Sequence, residues 1–265
     1  MAAYFAGVDI GSRSAKAVII KDGEIVSSHI CDTGPESAKT ALLVMNGCMS
    51  APALTVDNIS YVVATGYGRV LVPFANENIT EIACHAKGAH WYHSSVRTIL
   101  DMGGQDCKAI NCNEKGEVTG FIMNDKCAGG TGRFLEMIAD VLRVPLEEIG
   151  GLSLQSEKHI PFSTVCAVFA KSEALSLLKK GARKADIFDG LHDAIAIRCS
   201  SLLRRITVEA DFAITGGIAK NMGMVEKIRK KVGLEPLLAS DPQTIGALGA
   251  ALFARERYLI KKGAS

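Results

Sequence analysis

The sequence predicts an α/β protein made of two related halves, and two observations support this. Strand and helix patterns alternate along the whole chain of 265 residues, which is typical of α/β proteins. A unit of strand, aspartate-glycine loop, strand, turn and strand also occurs twice. Asp9 precedes the turn at Asp22 in the first copy, and Asp101 precedes the turn at Lys115 in the second, at nearly equal spacing. This repetition predicts an internal duplication of a three-strand unit followed by helices.

The first half is predicted to contain a group of three strands, a further strand and two helices. Short apolar runs bounded by glycine or polar turns predict the strands, and apolar residues at helical spacing predict the helices. The Asp22-Gly23 pair predicts a tight hairpin between the second and third strands. The predicted strands are residues 5–10, 17–21, 24–28 and 59–65, and the predicted helices are residues 36–49 and 79–91.

The second half repeats the three strands and then becomes mainly helical. Residues 246–251 are rich in glycine and alanine, which permits close packing of the last helix. The predicted strands are residues 96–100, 107–112, 117–122, 211–215 and, as a short strand, 236–239. The predicted helices are residues 134–142, 167–175, 189–208, 219–232 and 243–260.

Composition argues against some classes of function. The hydrophobic content of 48% and the charged content of 22% are those of an ordinary soluble protein. A net charge of +2 gives no electrostatic basis for binding nucleic acid or an acidic membrane surface. The first residues show no secretory signal, and no apolar run approaches the ~20 residues that a membrane-spanning helix needs. We therefore expect a cytoplasmic protein whose partners include neither nucleic acid nor membrane.

The eight cysteines point to thiol, metal or redox chemistry, because cytoplasmic proteins rarely form structural disulfides. They form no Cys-x-x-Cys pair, so a zinc ribbon or a self-contained ferredoxin-type cluster is poorly supported. Cys127 is followed by a short glycine-rich turn and then a predicted helix, and Cys166 directly precedes another; a helix N-terminus favours a thiolate. Two such cysteines are half of a four-thiolate site, which a symmetric dimer would complete. We expect the others to be ordinary thiols: Cys31, Cys48, Cys84, Cys107, Cys112 and Cys199.

Two glycine loops at strand ends, residues 9–16 and 101–105, have the composition of phosphate-binding loops. Their backbone N–H groups can bind phosphate oxygens, while Asp9 and Asp101 hold Mg²⁺ through water. Lys16 would neutralise phosphate charge, and Gln105 or Asp101 would orient the attacking water.

A third turn, residues 215–221, joins a strand to a helix and is suited to close approach of an adenosine. Each loop alone is weak evidence for a nucleotide site. Their occurrence together, in this order and within a duplicated frame, is strong evidence.

The order of these three loops resembles the actin, Hsp70 and sugar-kinase superfamily. Residues 64–69, 101–106, 124–134 and 246–251 resemble one family within it. That family is the ATP-dependent activators (component A) of 2-hydroxyacyl-CoA dehydratases, together with the related ATPase subunits of benzoyl-CoA reductase. The resemblance spans essentially the whole chain without a large insertion.

The resemblance implies two ribonuclease-H-like domains with the nucleotide in the interdomain cleft. The implied domains are residues 1–94 and 95–242, with residues 243–265 packing back on the first. ATP or ADP would bind with Mg²⁺ beside Asp9, Asp101 and Gln105, while Asp106 and Asp125 are weaker candidates for the cleft. The implied nucleotide-binding residues are Ser12, Arg13, Ser14, Ala15, Lys16, Gly103, Gly104, Gln105, Gly217, Lys220, Asn221 and, near the purine, Gln243.

The resemblance also implies a homodimer with one bridging [4Fe–4S] cluster, bound by Cys127 and Cys166 of each chain. Such a protein would couple ATP hydrolysis to one-electron reduction of a partner iron–sulfur dehydratase or reductase. Ferredoxin or flavodoxin would be the electron donor, and the setting would be anaerobic. Residues 128–130 and Lys171 depart from the usual family pattern around the two cysteines, which leaves the identity of the partner enzyme open.

Two other functions are compatible with the same fold. A small-molecule kinase, for an amino sugar or a carboxylate, would need a base beside a substrate hydroxyl and substrate-binding insertions, for which the chain is short. A non-enzymatic regulator that changes shape with nucleotide would not need paired cysteines before helices. Iron content would indicate the activator, and sugar-dependent ADP release would indicate the kinase.

Overall fold

The computed structural model describes residues 3–51, 53–124, 129–162 and 167–263. The chain divides into two compact units. The first unit comprises Met1–Val96, Cys112–Thr119 and Ala239–Ser265, and the second comprises Arg97–Asn111 and Gly120–Leu238.

The helices and strands follow the α/β order that the sequence predicts. The strands are β1 (Tyr4–Ile10), β2 (Ser14–Lys21), β3 (Glu24–Asp32), β4 (Ile59–Thr65), β5 (Glu77–Asn78), β6 (Thr98–Met102), β7 (Cys107–Cys112), β8 (Val118–Asn124) and β9 (Phe212–Thr215). The helices are α1 (Ser37–Ser50), α2 (Glu81–Tyr92), α3 (Gly132–Leu142), α4 (Ile149–Ser153), α5 (Ala167–Lys179), α6 (Lys184–Leu203), α7 (Met222–Val232) and α8 (Ile245–Gly263).

The sheet of the first unit has the strand order β3-β2-β1-β4-β5. β1 and β2 pair antiparallel, as do β2 and β3, whereas β1 and β4 pair parallel. One face packs on Val44 of α1 and the other on Leu248 of α8. A Cβ at Gly7 would overlap the backbone of α8, so this glycine allows the helix to lie directly on β1. The sheet is therefore covered on both faces, as expected for an α/β unit.

The sheet of the second unit has the strand order β8-β7-β6-β9, with β6 antiparallel to β7 and parallel to β9. Its core includes Phe134 of α3, Phe188 of α6 and Met224 of α7. The central order matches that of the first unit, with β6, β7, β8 and β9 in the places of β1, β2, β3 and β4. This match confirms the predicted duplication and the predicted fold class.

Several elements differ from the prediction. The expected strand at residues 236–239 is a single bridge between Ala213 and Leu237. α6 begins and ends about five residues earlier than expected, because buried Ala185 and Phe188 already belong to its core face and a turn follows Leu203. The expected helix at residues 219–232 is instead a short 3-10 helix followed by α7, which Asn221 caps by accepting from the amide of Met224.

α4 and the two-residue strand β5 were not predicted. Gly150 and Gly151 give α4 low helix propensity, and a Cβ at Gly150 would collide with Asn221. The packing of the turn before α7 therefore requires glycine inside this short helix. Within the described ranges, no helix is both long enough and apolar enough to cross a membrane.

Candidate functional site

The first phosphate loop connects β1 to β2, and the strand register places its two charged residues opposite each other. Asp9 pairs with Lys16 across the antiparallel ladder, and the Lys16 Nζ lies 3.2 Å from Asp9 Oδ2. The Asp9 side chain is buried, whereas that of Lys16 is 12% exposed. A Cβ at Gly11 would come 3.2 Å from the Lys16 ammonium. The charge of Lys16 therefore lies directly beside the loop backbone.

The backbone of this loop is closed by a hydrogen bond from the amide of Gly11 to the carbonyl of Ser14 (3.2 Å). Ser12 is half-buried, Arg13 is exposed and Ala15 is buried. Gln243 lies beside the loop, since its Nε2 donates to the Ser14 Oγ at 3.1 Å. The structure thus groups Gln243 with the first phosphate loop of the first unit.

Two glycines leave room for the Asp9 carboxylate. Gly66 has φ +83°, which disfavours any residue with a side chain, and a Cβ there would overlap Asp9 Oδ1. A Cβ at Gly246 would lie 3.2 Å from Asp9 Oδ2 and 2.9 Å from Nε2 of buried His85. Arg69 braces the turn after β4 by donating to the carbonyl of Gly66 at 3.0 Å. The motifs around residues 66 and 246 therefore shape the pocket of one carboxylate.

The second phosphate loop follows β6 and repeats the first arrangement with one more charge. The register pairs Asp101 with Lys108. The Lys108 Nζ lies 3.4 Å from Asp101 Oδ2 and 2.8 Å from Asp106 Oδ2. Thr215, at the end of β9, donates its hydroxyl to Asp101 Oδ1 at 3.0 Å. The Lys108 side chain is only 3% exposed, so it acts as an internal counter-charge for two buried carboxylates.

Sequence reasoning missed Lys108. The signal was available, because Lys108 follows Asp101 by the same interval as Lys16 follows Asp9. A duplicated hairpin that keeps the same register places both lysines opposite their aspartates.

Asp106 has a local role in the second unit: its carboxylate packs against Gly103, and its carbonyl accepts from the Gly103 amide at 3.0 Å.

The second phosphate loop is hydrogen-bonded to the N-terminus of α3. The amide of Gly132 donates to the carbonyl of Gly103 at 3.0 Å, and the amide of Arg133 donates to the carbonyl of Gly104 at 2.8 Å. Gln105, at the tip of the turn, is exposed. Two amides at the helix N-terminus are thereby satisfied by the loop, so the position of α3 is tied to the position of the loop.

The turn predicted to bind adenosine follows β9. Gly216 has φ +88°, and a Cβ there would lie 2.9 Å from Asp101 Oδ1, so this turn lies against the second phosphate loop. The short 3-10 helix Gly217–Lys220 comes next, and the Lys220 residue is exposed.

The amide of Asn221 makes contacts within the second unit. Its Nδ2 donates to Nε2 of His192 at 3.1 Å, and its Oδ1 caps α7. The Nδ1 of His192 lies 2.9 Å from the Ser153 hydroxyl. Burial, with the charge of Lys227 as a smaller cause, lowers the pKa of His192 to about 3. The imidazole is therefore neutral at pH 7 and serves as a fixed hydrogen-bonding link under the turn.

The two cysteines predicted to bind a cluster, Cys127 and Cys166, lie outside the described residues, as does Asp125. In the sequence, β8 lies before Cys127, and α5 begins directly after Cys166. In the part of the chain that the structure describes, no group of three or more His, Cys, Asp or Glu side chains could hold a metal ion. A cluster bound by two thiolates from each of two chains does not need such a group in one chain.

The other six cysteines are thiols, and all except Cys31 are buried. Burial raises the pKa of Cys48 to about 11 and that of Cys84 to about 12. These two therefore behave as core residues, as expected. Cys107 and Cys199 are different, since they lie in contact with each other.

Comparison with known proteins gives consistent matches over nearly the whole chain. The model of the BadF/BadG/BcrA/BcrD ATPase family matches residues 6–254. The chain is 44% identical to the activator of lactoyl-CoA dehydratase from Anaerotignum propionicum, over 96% of this chain and 98% of that protein.

Two solved structures are similar along almost their full length. The activator of 2-hydroxyisocaproyl-CoA dehydratase from Clostridium difficile, with bound ADPNP, has a TM-score of 0.95 at 38% identity, covering 99% of this chain and 98% of that chain. Component A of (R)-2-hydroxyglutaryl-CoA dehydratase from Acidaminococcus fermentans has a TM-score of 0.93 at 37% identity, covering 97% of this chain and 99% of that chain.

Proposed function

The chain belongs to the BadF/BadG/BcrA/BcrD ATPase family, and we propose that it is an ATP-dependent activator that reduces a partner iron–sulfur enzyme. The partner would be a 2-hydroxyacyl-CoA dehydratase or a related reductase. The observation that carries this proposal is the pair of hydrogen bonds from α3 to the second phosphate loop. They connect a nucleotide-binding loop to the helix that follows Cys127. The kinase alternative is not favoured, because the relatives are named as activators.

Nucleotide binding is proposed to use the loops of both units. Lys16 and the backbone of residues 11–15 bind phosphate oxygens, and the backbone of residues 103–105 does the same in the second unit. Asp9 and Asp101 hold Mg²⁺ through water, a mode in which phosphates and waters supply most of the metal ligands. Two buried carboxylates at strand ends fit this requirement.

Hydrolysis of ATP to ADP requires a water that is held in line with the terminal phosphate. Gln105 is exposed at the tip of its turn and is available to orient that water, with Asp101 as the second candidate. The adenosine would lie against Gly217, Lys220 and Asn221, with Gln243 as a further contact. The network of Asn221, His192 and Ser153 supports this assignment because it holds the backbone of the turn in place.

We propose that the hydrogen bonds between the second phosphate loop and α3 couple nucleotide binding to the surroundings of Cys127. A loop that binds the terminal phosphate differently in ATP and ADP changes the position of Gly103 and Gly104. Their carbonyls accept from the amides of Gly132 and Arg133, so α3 moves with the loop. Cys127 precedes α3 in the chain, and a nucleotide-dependent shift would therefore reach its surroundings. The potential of an iron–sulfur cluster responds to such changes in hydrogen bonding and solvent exposure.

Two copies of the chain would supply Cys127 and Cys166 twice, which is the four-thiolate set of one [4Fe–4S] cluster. When bound, the cluster would supply a one-electron transfer step. We propose ferredoxin or flavodoxin as the electron donor, and a cytoplasmic, anaerobic setting because such a shared cluster is sensitive to oxygen. The donor set fits the cluster in number and type.

The first experiment is to purify the protein without oxygen and to measure iron and sulfide per dimer. We expect about four irons per dimer in the wild type and loss of iron in Cys127→Ala. Cys31→Ala is the matched control, because Cys31 is a partly exposed thiol on β3 of the first unit, and it should retain the iron. Folding of each variant is followed by circular dichroism. An iron-free dimer that still hydrolyses ATP after reconstitution would overturn the electron-transfer proposal.

A second experiment tests the coupling. The reduction potential of the bound cluster is measured with ADP and with a non-hydrolysable ATP analogue. A potential that depends on the nucleotide supports the connection through α3. Equal potentials would contradict it, even if the cluster itself is present.

A further inference from the structure

Two thiols of the second unit that the proposed function does not use lie in contact. Cys107 is the first residue of β7, and Cys199 lies near the end of α6. Their Sγ atoms are 3.8 Å apart, and either thiol can donate to the other. Each residue is 2% exposed. The contact joins the sheet to a helix through residues 92 positions apart in the chain.

A cavity borders both cysteines. Its volume is about 270 Å³, and Cys107 and Cys199 belong to its lining. It also borders Asn124 at the end of β8, Arg198 on α6 and Arg205 in the turn after α6. A space of this size holds several water molecules or a small peroxide. The two thiols are therefore buried in the core and yet adjacent to a reagent-sized space.

We propose that Cys107 and Cys199 are an oxidation site at which a peroxide forms a reversible disulfide. One thiol displaces water from hydrogen peroxide and becomes a sulfenic acid. The second thiol then attacks that sulfur and releases a second water. Two thiols and one hydrogen peroxide thus yield one disulfide and two waters; the sulfurs lose two electrons, and the peroxide gains them.

The geometry favours the second cysteine as the resolving partner of the first. A disulfide needs an S–S distance of about 2.0 Å, so the two Sγ atoms must approach by a little under 2 Å. The hydrogen bond with Cys199 and burial raise the pKa of Cys107. This lowers the rate of the first step at neutral pH, but the sulfenic acid, once formed, has a thiol in contact with it.

The disulfide between Cys107 and Cys199 would act on the second phosphate loop, and this part of the inference rests on the proposed nucleotide binding. Cys107 lies between Asp106 and Lys108, which form the 2.8 Å ion pair beside the loop. A shift of Cys107 towards α6 would displace both charged residues from their present positions. We therefore expect the disulfide to weaken ATP binding about fivefold, within the usual range of coupling between sites.

The experiment is to treat the purified protein with hydrogen peroxide, block remaining thiols and map tryptic peptides without reduction. Cleavage after Arg97 and Lys108 releases residues 98–108, and cleavage after Arg198 and Arg204 releases residues 199–204. Each of these peptides contains a single cysteine. We expect the two peptides to be joined, with loss of two hydrogen atoms, and to separate again after dithiothreitol. Recovery of the peptides unlinked, or linked to other cysteines, would overturn the oxidation site.

The effect on the loop is measured as the ATP dissociation constant before oxidation, after oxidation and after dithiothreitol. Cys199→Ser is the matched control, since it retains Cys127 and Cys166 but cannot form the link. Weakening that occurs in the wild type and is absent in Cys199→Ser supports the inference. Equal weakening in both proteins would place the effect at other cysteines and contradict it. Failure of the reduced wild type to bind ATP would instead count against the proposed function. If Cys199→Ser is unfolded, Cys107→Ala serves as the control.

Discussion

The two phosphate loops arise from the same hairpin register and yet carry different charge arrangements. In the first unit, Lys16 has Asp9 as its carboxylate neighbour and remains 12% exposed. In the second unit, Lys108 lies against both Asp101 and Asp106 and is 3% exposed. An ammonium that one carboxylate neutralises at the edge of a loop can still bind phosphate. An ammonium enclosed by two carboxylates compensates their charge instead.

The comparison therefore teaches that a duplicated aspartate–lysine pair does not imply a duplicated role. Asp106 makes the difference, because it adds a second buried carboxylate to the second unit. The two lysines should respond oppositely to substitution: loss of Lys108 should mainly reduce stability, and loss of Lys16 should mainly reduce ATP hydrolysis.

The largest expected effect is that of Lys108→Met. The substitution removes the ammonium that Lys108 places beside the buried Asp101 and Asp106, which we expect to reduce the free energy of unfolding by about 3–5 kcal/mol. Urea denaturation measures the change. Lys39→Met is the control: Lys39 forms an exposed ion pair with Glu36, and we expect at most about 0.5 kcal/mol. A similar small change for Lys108→Met would contradict the charge-compensation role.

Lys16→Ala tests the other half of the comparison. Loss of a cation at the phosphates should lower the rate of ATP hydrolysis about 100-fold, because the charge that develops on the phosphate is no longer stabilised. The rate is measured by phosphate release on folded protein. Lys21→Ala lies on the same strand and should retain the wild-type rate. An unchanged rate in Lys16→Ala would remove Lys16 from the phosphate site.

Gly66→Ala probes the space around the Asp9 carboxylate. The added Cβ meets both a positive φ and Asp9 Oδ1, and we expect a loss of about 2 kcal/mol of stability. Gly23→Ala is the matched control, because Gly23 has φ +93° and no atom within 4 Å of its Cβ position. It should cost about 1 kcal/mol from backbone strain alone. Equal losses in thermal unfolding would show that the carboxylate does not crowd Gly66.

The last prediction is restricted to acidic pH and concerns the neutral His192 beneath the turn that follows β9. Its pKa of about 3 in the folded protein lies below the ordinary value near 6.5, so the unfolded chain binds more protons between these values. Stability should therefore fall as the pH decreases below about 6.5, by about 2 kcal/mol at pH 5.

His192→Gln lacks this proton and should show a shallower loss of stability from pH 7 to 5, measured by urea denaturation. The difference between the two proteins isolates the histidine, because acidic residues titrate in both. Parallel pH profiles would mean that His192 takes up a proton without unfolding.

Much of the fold could be predicted, because apolar periodicity reflects local geometry. β4 and β7 begin and end where the sequence predicts, and the order of strands and helices is confirmed. The errors occurred where tertiary contacts decide. Residues 236–239 form only one bridge to β9. The glycines of α4 argue against a helix in the sequence, although the packing against Asn221 requires a glycine there.

The sequence predicts the loops of the candidate site, but it does not predict which distant side chains contact them. Glycine and aspartate at strand ends predict Asp9, Asp101 and the backbone of both loops as site residues, and the structure places both aspartates at strand ends. The neighbours of Gln243 and Asn221 depend on residues far away in the chain, Ser14 and His192. Such pairs leave no local pattern, so only the folded chain shows them.

The sequence alone determined the duplicated α/β plan, the three glycine turns and the family, because strand periodicity, turn chemistry and motif order are properties of neighbouring residues. The tertiary structure alone decided the different surroundings of Lys16 and Lys108 and the attachment of α3 to the second loop. It also brought Cys107 to Cys199. The physical reason is that burial, charge compensation and hydrogen bonding depend on which residues distant in the sequence come into contact. Strand register and helix packing determine those contacts.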